Sequence, residues 1–252
     1  MKLTAIGCSG SYPGPDSPAS CYLVEADSDG RTWRILLDLG SGSFGALQRF
    51  IDPCDVDAVF FSHLHPDHYS DISGLYVVWK YHPDGARPRI PVWGPAEVAL
   101  QVALAYGMPK LPGMTNEFIF HEYDDDPIEF GPFTVRATPV KHPVPAYALR
   151  IECEGRVLAY SGDTGPCPQL ADVVAKGADL FLCEAAFVER GDNPPDLHLT
   201  GRQAGAIATE AGVGRLVLTH VPPWYSRDAA LEAARGSYPE VELAATGSTY
   251  EI

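Results

Sequence analysis

The sequence predicts an α/β fold in which two β-sheets lie between outer layers of helices. The first observation behind this prediction is that apolar segments of strand length are interleaved with segments that carry helix-capping and helix-ending residues. The second is that most of these strands end in polar loops, as strands do when their carboxyl ends form a ligand-binding edge. The 252 residues, 46% of them hydrophobic, suit one domain, 1–252, with a substantial core.

Seven internal segments are predicted as strands because each is a short apolar run of the kind that forms buried strands. They cover residues 21–25, 33–38, 57–62, 133–140, 156–161, 179–183 and 215–219. Residues 1–7 form a further strand-like piece, too short and too soon broken for a signal peptide. The glycines and prolines that follow, within residues 10–18, predict a long exposed loop.

Helix signals fall between the strands. The predicted helices lie between Pro95 and Gly107, between Pro168 and Gly177, from Thr200 to Gly212, and from Ser226 to about Arg235. In the third helix Thr200 and Gln203 have the spacing of a capping box, and small apolar residues then line one face up to the closing glycine. Strands interleaved with helices in this way favour the two-sheet architecture.

The charge balance limits the classes of molecule that the protein is expected to bind. The chain has 33 acidic and 18 basic residues, a formal net charge of −15, and lacks the basic surface expected of a stable nucleic-acid binder. A cleft made locally positive by bound metal ions still suits a small anionic substrate.

No apolar run is long enough to span a bilayer, so we expect a cytoplasmic protein without membrane contact. Six scattered cysteines without a Cys-x-x-Cys pair predict reduced thiols, not disulfides.

Residues that bind metals are concentrated directly after the strand predicted at 57–62, where residues 60–68 read FFSHLHPDH. Imidazoles together with a carboxylate suit zinc or another first-row metal. On an extended backbone alternate residues share a side, so His63, His65 and Asp67 are predicted to converge while His68 belongs to a different set. The alternative is a surface loop in which these polar residues have gathered without a ligand.

Three further residues of ligating type, His142, Asp163 and His220, each lie just past the carboxyl end of a predicted strand. If the strands belong to related sheets, the loops that carry them gather at one edge. Each residue has a structural alternative, and an aspartate in a Gly-Asp-Thr segment commonly forms a turn or caps a helix.

The motif at 63–68, His142, the Gly-Asp-Thr segment at 162–164 and His220 resemble, in order and approximate spacing, the metallo-β-lactamase superfamily. This resemblance covers nearly the whole chain and implies an αβ/βα four-layer sandwich with two mixed sheets between helices. It also implies two divalent metal ions per chain, zinc first and manganese second. The implied ligands are His63, His65 and His142 on one ion, Asp67, His68 and His220 on the other, and Asp163 bridging both.

Two segments resemble the ribonuclease-Z-like branch of that superfamily. They are DLFLCEA at 179–185 and the His-Leu-Thr segment at 198–200, which precedes an alanine-rich helix. The resemblance implies that Glu184 orients His198 and that His198 protonates the leaving oxygen; with the metal ligand Asp67 they form the predicted catalytic residues. In the alternative, Glu184 is a buried pair or a cap, and His198 merely precedes the helix.

The chain also departs from ribonuclease Z, which typically carries a long basic arm that grips transfer RNA. Only residues 164–183 separate Asp163 from Glu184, and no basic insertion occurs. The segments GCSGS at 7–11, GPDSPAS at 14–20 and THVPPW at 219–224 are similar to an actinobacterial subgroup of atypical cyclic-nucleotide phosphodiesterases. That similarity implies hydrolysis of 3′,5′-cyclic AMP or a related phosphodiester by a metal-bridging hydroxide, with His198 as general acid, in a homodimer.

Alternative functions remain open from the sequence. A hydrolase of a neutral lactone or thioester is expected to need no leaving-group acid. Ribonuclease-Z-like RNA processing requires a basic surface that binds RNA. A non-catalytic binding protein should have lost a metal ligand. Four residues stay outside the scheme. His82 and His121 are read as surface or structural, Arg202 as a solvated helix charge with a phosphate contact as the alternative, and Cys167 as a buried inert thiol.

Overall fold

The structure is a computed structural model that describes residues 1–85 and 87–252, with only the backbone of Val173 described. Fourteen strands are found in this part of the chain. They are β1 (Lys2–Gly7), β2 (Cys21–Ser28), β3 (Arg31–Leu37), β4 (Ala58–Phe60), β5 (Ile90–Gly94), β6 (Phe118–Glu122), β7 (Ile128–Phe130), β8 (Phe133–Pro139), β9 (Tyr147–Cys153), β10 (Arg156–Tyr160), β11 (Leu180–Glu184), β12 (Leu216–Thr219), β13 (Glu242–Leu243) and β14 (Thr249–Glu251).

Six α-helices connect these strands within residues 1–85 and 87–252. They are α1 (Ser43–Leu47), α2 (Pro66–Tyr69), α3 (Ile72–Tyr81), α4 (Val98–Ala105), α5 (Gly201–Ala211) and α6 (Arg227–Arg235). A 3₁₀ turn at Pro53–Asp55 and a π-helical segment at Leu170–Val174 complete the helical structure of the described residues. Among these helices none has the length and apolar character needed to cross a lipid bilayer.

The strands form two seven-stranded mixed sheets with matching designs. The first sheet has the order β14-β1-β2-β3-β4-β5-β6, and the second has the order β13-β12-β11-β10-β9-β8-β7. In each sheet an antiparallel half passes into a parallel half, at β3 and β4 in the first and at β10 and β11 in the second. The parallel strands of each sheet therefore send their carboxyl ends to one edge, where loops can build a site.

Three apolar clusters hold the layers together. Residues from both sheets, such as Tyr22, Phe60, Leu149 and Leu182, form the central cluster between them. The other two clusters lie outside the sheets, one under α1, α3 and α4 and the other under α5, α6 and the π-helical segment. The order helix, sheet, sheet, helix confirms the predicted four-layer α/β sandwich.

All seven internal strands predicted from the sequence are present, with ends that differ by a few residues. The helix between Pro95 and Gly107 is shorter than predicted, covering Val98–Ala105. The segment between Pro168 and Gly177 forms only a π-helical turn, in which Ala175 N–H donates to the Leu170 carbonyl. The capping box is as predicted, because Thr200 Oγ1 accepts from Gln203 N–H while Gln203 Oε1 accepts from Thr200 N–H.

Candidate metal centre and active site

The carboxyl ends of five strands, β3, β4, β10, β11 and β12, and the loop after β8 come together at one edge of the sandwich. These ends carry Asp38, the motif at 63–68, Asp163, Glu184, His220 and His142. The two sheets are joined here, because Tyr147 N–H at the start of β9 donates to the Ser62 carbonyl after β4. Every residue that the sequence assigned to metal binding or catalysis lies at this edge.

His63, His65 and His142 form the first ligand group. Nδ1 of His65 lies 3.1 Å from Nε2 of His63 and 3.1 Å from Nε2 of His142. Nitrogen ligands that sit 2.0–2.1 Å from a tetrahedral zinc ion lie about 3.3–3.4 Å from one another. The three imidazoles are therefore spaced as three ligands of one ion, with little rearrangement needed.

Asp67, His68, Asp163 and His220 form the second group, and their ligand atoms all lie within 4.8 Å of one another. Within residues 1–85 and 87–252, the buried atoms Oδ2 of Asp67, Nε2 of His68, Oδ1 of Asp163 and Nε2 of His220 make no hydrogen bond. Buried polar atoms without a partner are costly, so four that converge on one place indicate a site for a charged ligand. Two carboxylates and two imidazoles suit a divalent cation.

Asp163 lies between the two groups. Its Oδ2 atom is 3.7 Å from Nε2 of His63 in the first group and 3.1 Å from Nε2 of His220 in the second. Burial raises the pKa of the Asp163 carboxyl, but the imidazoles around it, His220 first, outweigh burial and hold that pKa well below its usual range. An ionised carboxylate at this point can be shared by two ions.

The protonation of the histidines has a consequence for metal loading. Burial lowers the pKa of His63 well below its usual range, so this ring is ready to bind a cation. Burial acts in the same direction on His68, but the neighbouring carboxylates, Asp163 first, outweigh it and raise the pKa of His68 well above its usual range. A cation that binds Nε2 of His68 must displace a proton, so binding releases protons and weakens as the pH falls.

Four of the five candidate histidine ligands are held by the ring nitrogen that faces away from the centre. Nδ1 lies 3.1 Å from Ser62 Oγ in His63, 2.7 Å from Asp38 Oδ2 in His68, 3.0 Å from the Leu197 carbonyl in His142 and 3.0 Å from Ser20 Oγ in His220. Such outer contacts fix ring orientation and leave Nε2 for the metal.

Asp38 is a part of this edge that the sequence reasoning missed. The carboxylate is fully buried and accepts hydrogen bonds from Ser62 N–H, Ser62 Oγ and Tyr160 Oη, in addition to its contact with His68. It thereby ties the ends of β3, β4 and β10 together behind the ligands. The signal was present, since Asp38 directly follows an apolar strand, as Asp163 nearly does.

One prediction about the motif was wrong. Strand alternation predicted that Asp67 converges with His63 and His65, but Asp67 belongs to the second group, together with His68. The reason is Pro66, which occupies the first helical position and starts α2 immediately after the extended His65. The chain therefore changes direction within the motif and supplies both groups, as the family resemblance implied.

Backbone packing holds His220 in an unusual conformation. The residue has φ +57°, in the left-handed region that residues other than glycine adopt uncommonly. Its N–H donates to the Cys8 carbonyl, and a Cβ placed on Gly10 would come within 2.2 Å of the His220 carbonyl oxygen. The loop after β1 thus packs directly behind this ligand, which explains why glycine is needed at position 10.

Glu184 and His198 stand beside the second group. Oε1 of Glu184 accepts from Thr164 N–H and lies 3.0 Å from Nδ1 of His198, while Oε2 accepts from Ala186 N–H. The carboxylate is fully buried, and the His198 side chain is 12% exposed. Burial lowers the pKa of His198, but the carboxylate of Glu184 outweighs it and raises the pKa to about 9. Because Nδ1 faces Glu184, Nε2 is the nitrogen left for a substrate.

The four residues that were assigned no part in metal binding or catalysis from the sequence have other contacts in the structure. His121 is exposed and stacks on Trp93 at 4.9 Å between ring centroids, and His82 contacts Arg87. Arg202 pairs with Glu189 at 3.4 Å. Cys167 is buried, and all six cysteines, which lie in the described ranges, are free thiols.

The chain is similar to known proteins over most of its length. Residues 33–221 match the family described as "Beta-lactamase superfamily domain". An uncharacterized protein of Mycobacterium tuberculosis, Rv1339, is 41% identical over 258 residues, covering 100% of this chain and 92% of that protein. Ribonuclease Z of Myxococcus xanthus is 31% identical over 310 residues, covering 100% of this chain and 98% of that protein.

A Bacillus subtilis protein named "Probable metallo-hydrolase YhfI" is 30% identical over 256 residues, with 100% of both chains covered. Its crystal structure, described as a metallo-β-lactamase fold protein, superimposes with a TM-score of 0.87 and 28% identity, covering 100% of this chain and 99% of that one. The ligand-bearing edge described above therefore belongs to a fold that implies divalent metal binding.

Proposed function

The chain belongs to the β-lactamase superfamily as a metallo-hydrolase, and on this premise we propose that it hydrolyses a small phosphodiester, 3′,5′-cyclic AMP or a related cyclic nucleotide. The reaction uses two divalent ions, zinc in preference to manganese. In this proposal the enzyme acts in the cytoplasm, as we expected from the apolar runs of the sequence, and it forms a homodimer, as the family resemblance implies.

The observation that carries the proposal is the position of His198. Its ring centroid lies 5.5 Å from that of His142, in the first ligand group, and 5.7 Å from that of His220, in the second. The His198 ring is therefore close to both groups. Cleavage of a phosphodiester releases an alkoxide, which needs a proton as it leaves. An imidazole at this place, with its far nitrogen on a buried carboxylate, is suited to supply that proton.

Each of the two ligand groups is assigned one metal ion. In this proposal His63, His65 and His142 would hold one ion, the second group would hold the other, and Asp163 would be available to both. Two divalent ions in such a site lower the pKa of water and offset the negative charge of a phosphate. Zinc is preferred because five of the seven donors are imidazoles.

Glu184 acts through His198. Its carboxylate is fixed by the Thr164 and Ala186 amides and therefore holds the Nδ1 proton and the plane of the imidazole. The Nε2 proton of His198 then points away from Glu184 and passes to the leaving oxygen. The same contact favours the imidazolium form of His198 before the proton is transferred.

The other candidate functions differ in how far the Glu184–His198 pair argues against them. A thioester releases a thiolate that needs little protonation, so the pair would be idle in a thioester hydrolase. A lactone releases an alkoxide, so the expectation that it needs no leaving-group acid does not hold, and the substrate screen separates it from a phosphodiester. A transfer-RNA processing enzyme needs basic surface, which a chain of net charge −15 without a basic insertion does not offer.

A substrate screen tests the proposal. The metal-loaded protein should hydrolyse 3′,5′-cyclic AMP and show at most trace activity on a lactone and a thioester of similar size. The assay is steady-state product formation, with metal-depleted protein as the blank. Turnover of the lactone or thioester without turnover of any phosphodiester would contradict the proposal.

A further inference from the structure

A cleft of about 460 Å³ opens beside His198, which forms part of its wall, and we call it the His198 cleft. Its walls are formed by the segment after β11 and the first turn of α5. They include Phe187, Arg190, Pro194, Pro195, His198 and Arg202. This volume lies in the range of pockets that take small organic ligands.

The cleft is joined to the proposed acid by a direct contact. The ring of Phe187 meets the ring of His198 edge to face, with centroids 5.1 Å apart and planes at 87°. If His198 protonates the leaving oxygen, the group that carries this oxygen must lie on the His198 side of the phosphorus. His198 itself lines the cleft, so the other walls of the cleft lie close to where a leaving group that contacts His198 would be.

The charges in the cleft are unequally paired. Glu189 pairs with Arg202 at 3.4 Å, and Asp196 pairs with Lys141 at 3.2 Å, so each of these carboxylates has a cationic partner. Arg190 differs: in the ranges 1–85 and 87–252 it forms no ion pair, and its guanidinium carbon lies 5.7 Å from the ring centroid of Tyr225. Among the described residues, Arg190 is therefore an arginine of the cleft whose guanidinium stacks on an aromatic ring and has no carboxylate partner.

We propose that the His198 cleft binds the nucleoside half of the substrate, with Arg190 as the residue that recognises the base. The inference rests on the proposed function, since it needs a phosphodiester whose leaving oxygen faces His198. Phe187 and the prolines at 194 and 195 supply flat surfaces for a base or sugar, and Arg190 supplies donors for the acceptor atoms of a base. A single free guanidinium suits one nucleoside better than the several phosphates of an RNA chain.

The test separates binding in the cleft from binding at the metals. Calorimetry on the metal-loaded protein gives dissociation constants for 5′-AMP, which carries both a phosphate and a nucleoside, and for inorganic phosphate, which fills only the metal centre. Arg190→Ala should raise the dissociation constant for 5′-AMP roughly tenfold, the scale of a lost hydrogen bond to a charged group, and raise the Michaelis constant for the cyclic nucleotide by a similar factor. The dissociation constant for inorganic phosphate should stay at the parent value.

Two further variants sharpen the result. Phe187→Leu keeps apolar bulk against His198 but removes the flat ring, and should weaken 5′-AMP binding roughly fivefold without weakening phosphate binding. Arg31→Ala is the control for the loss of a stacked arginine, because Arg31 stacks on Trp33 at 4.0 Å, with Asp57 as an additional ion-pair partner, and lies at the start of β3, opposite the active edge. It should leave all three constants unchanged.

The outcomes keep the two proposals apart. Turnover of 3′,5′-cyclic AMP with unchanged 5′-AMP binding in both Arg190→Ala and Phe187→Leu would overturn the cleft assignment and leave the proposed function standing. Absence of cyclic-nucleotide turnover alongside hydrolysis of another phosphodiester would overturn the proposed substrate, and unchanged 5′-AMP binding in the variants would then overturn the cleft assignment as well. Equal weakening of 5′-AMP and inorganic phosphate would show that Arg190 acts on the metal centre and would also overturn it.

Discussion

Replacing His198 with alanine should slow the hydrolysis of 3′,5′-cyclic AMP by roughly 10²–10⁴-fold, the usual contribution of a positioned general acid. The ribose alkoxide is a poor leaving group, and without Nε2 of His198 no other side chain is assigned to protonate it. The ions should stay bound, since His198 is not one of the seven proposed ligands. Steady-state kcat and elemental analysis of the same sample measure both effects.

The leaving group distinguishes acid catalysis from general damage to the site. Hydrolysis of bis(p-nitrophenyl) phosphate should suffer much less in His198→Ala, because nitrophenolate leaves with little protonation. His121→Ala is the matched control, since His121 is exposed and stacks on Trp93. Equal losses on both substrates, or loss of an ion from His198→Ala, would contradict the role given to His198.

Replacing Asp163 with asparagine should remove metal as well as activity. Parent protein purified without chelator should contain two ions per chain, because seven donors are grouped for two. Asp163 Oδ2 faces His63 in one group and His220 in the other, so loss of its charge weakens both sites at once. Turnover should fall by about 10³-fold or more, corresponding to several kcal/mol of metal-dependent stabilisation of the transition state.

The control for this variant is Asp125→Asn, which removes one negative charge at an exposed position. It should retain two ions and full activity. Elemental analysis and titration with zinc in competition with a chelator provide the measurement. Parent protein that saturates at one ion, or Asp163→Asn protein that keeps two ions at parent affinity, would contradict the dinuclear assignment.

The strands and the edge they build were accessible from the sequence because both depend on local chemistry. An apolar run that stops at a histidine or aspartate is visible in the printed chain, and it marked His142, Asp163 and His220. Their convergence required a further step, namely that the strands share one direction within two related sheets. That step came from the family resemblance, since local patterns do not reveal which strands are neighbours.

Helix α3 and the role of Asp38 were not predicted from the sequence, because the local sequence pattern at each favours a strand. Helix α3 reads ISGLYVVWKY, rich in residues that favour strands, and is helical because Ile72, Leu75, Tyr76 and Trp79 are buried on one face against the first sheet. Asp38 was included in a predicted strand and passed over, since its role depends on contacts with Ser62 and Tyr160 that are distant in sequence. In both cases tertiary packing decided the outcome.

The acidic surface leads to the sharpest distinction among phosphodiester substrates. Anions are attracted only by the metal centre, over a range limited to about 8 Å by salt at physiological strength. A cyclic nucleotide can lie wholly within that range, whereas a transfer RNA must also approach a chain with 33 acidic and 18 basic residues. Substrate size should therefore decide which phosphodiesters are cleaved.

The most direct test assays 3′,5′-cyclic AMP and a precursor transfer RNA side by side with metal-loaded protein at physiological salt, with Asp163→Asn as the blank. We expect measurable conversion of 3′,5′-cyclic AMP to 5′-AMP and negligible processing of the precursor. Efficient cleavage of the precursor without turnover of the cyclic nucleotide would contradict the account of this enzyme as a small-substrate phosphodiesterase.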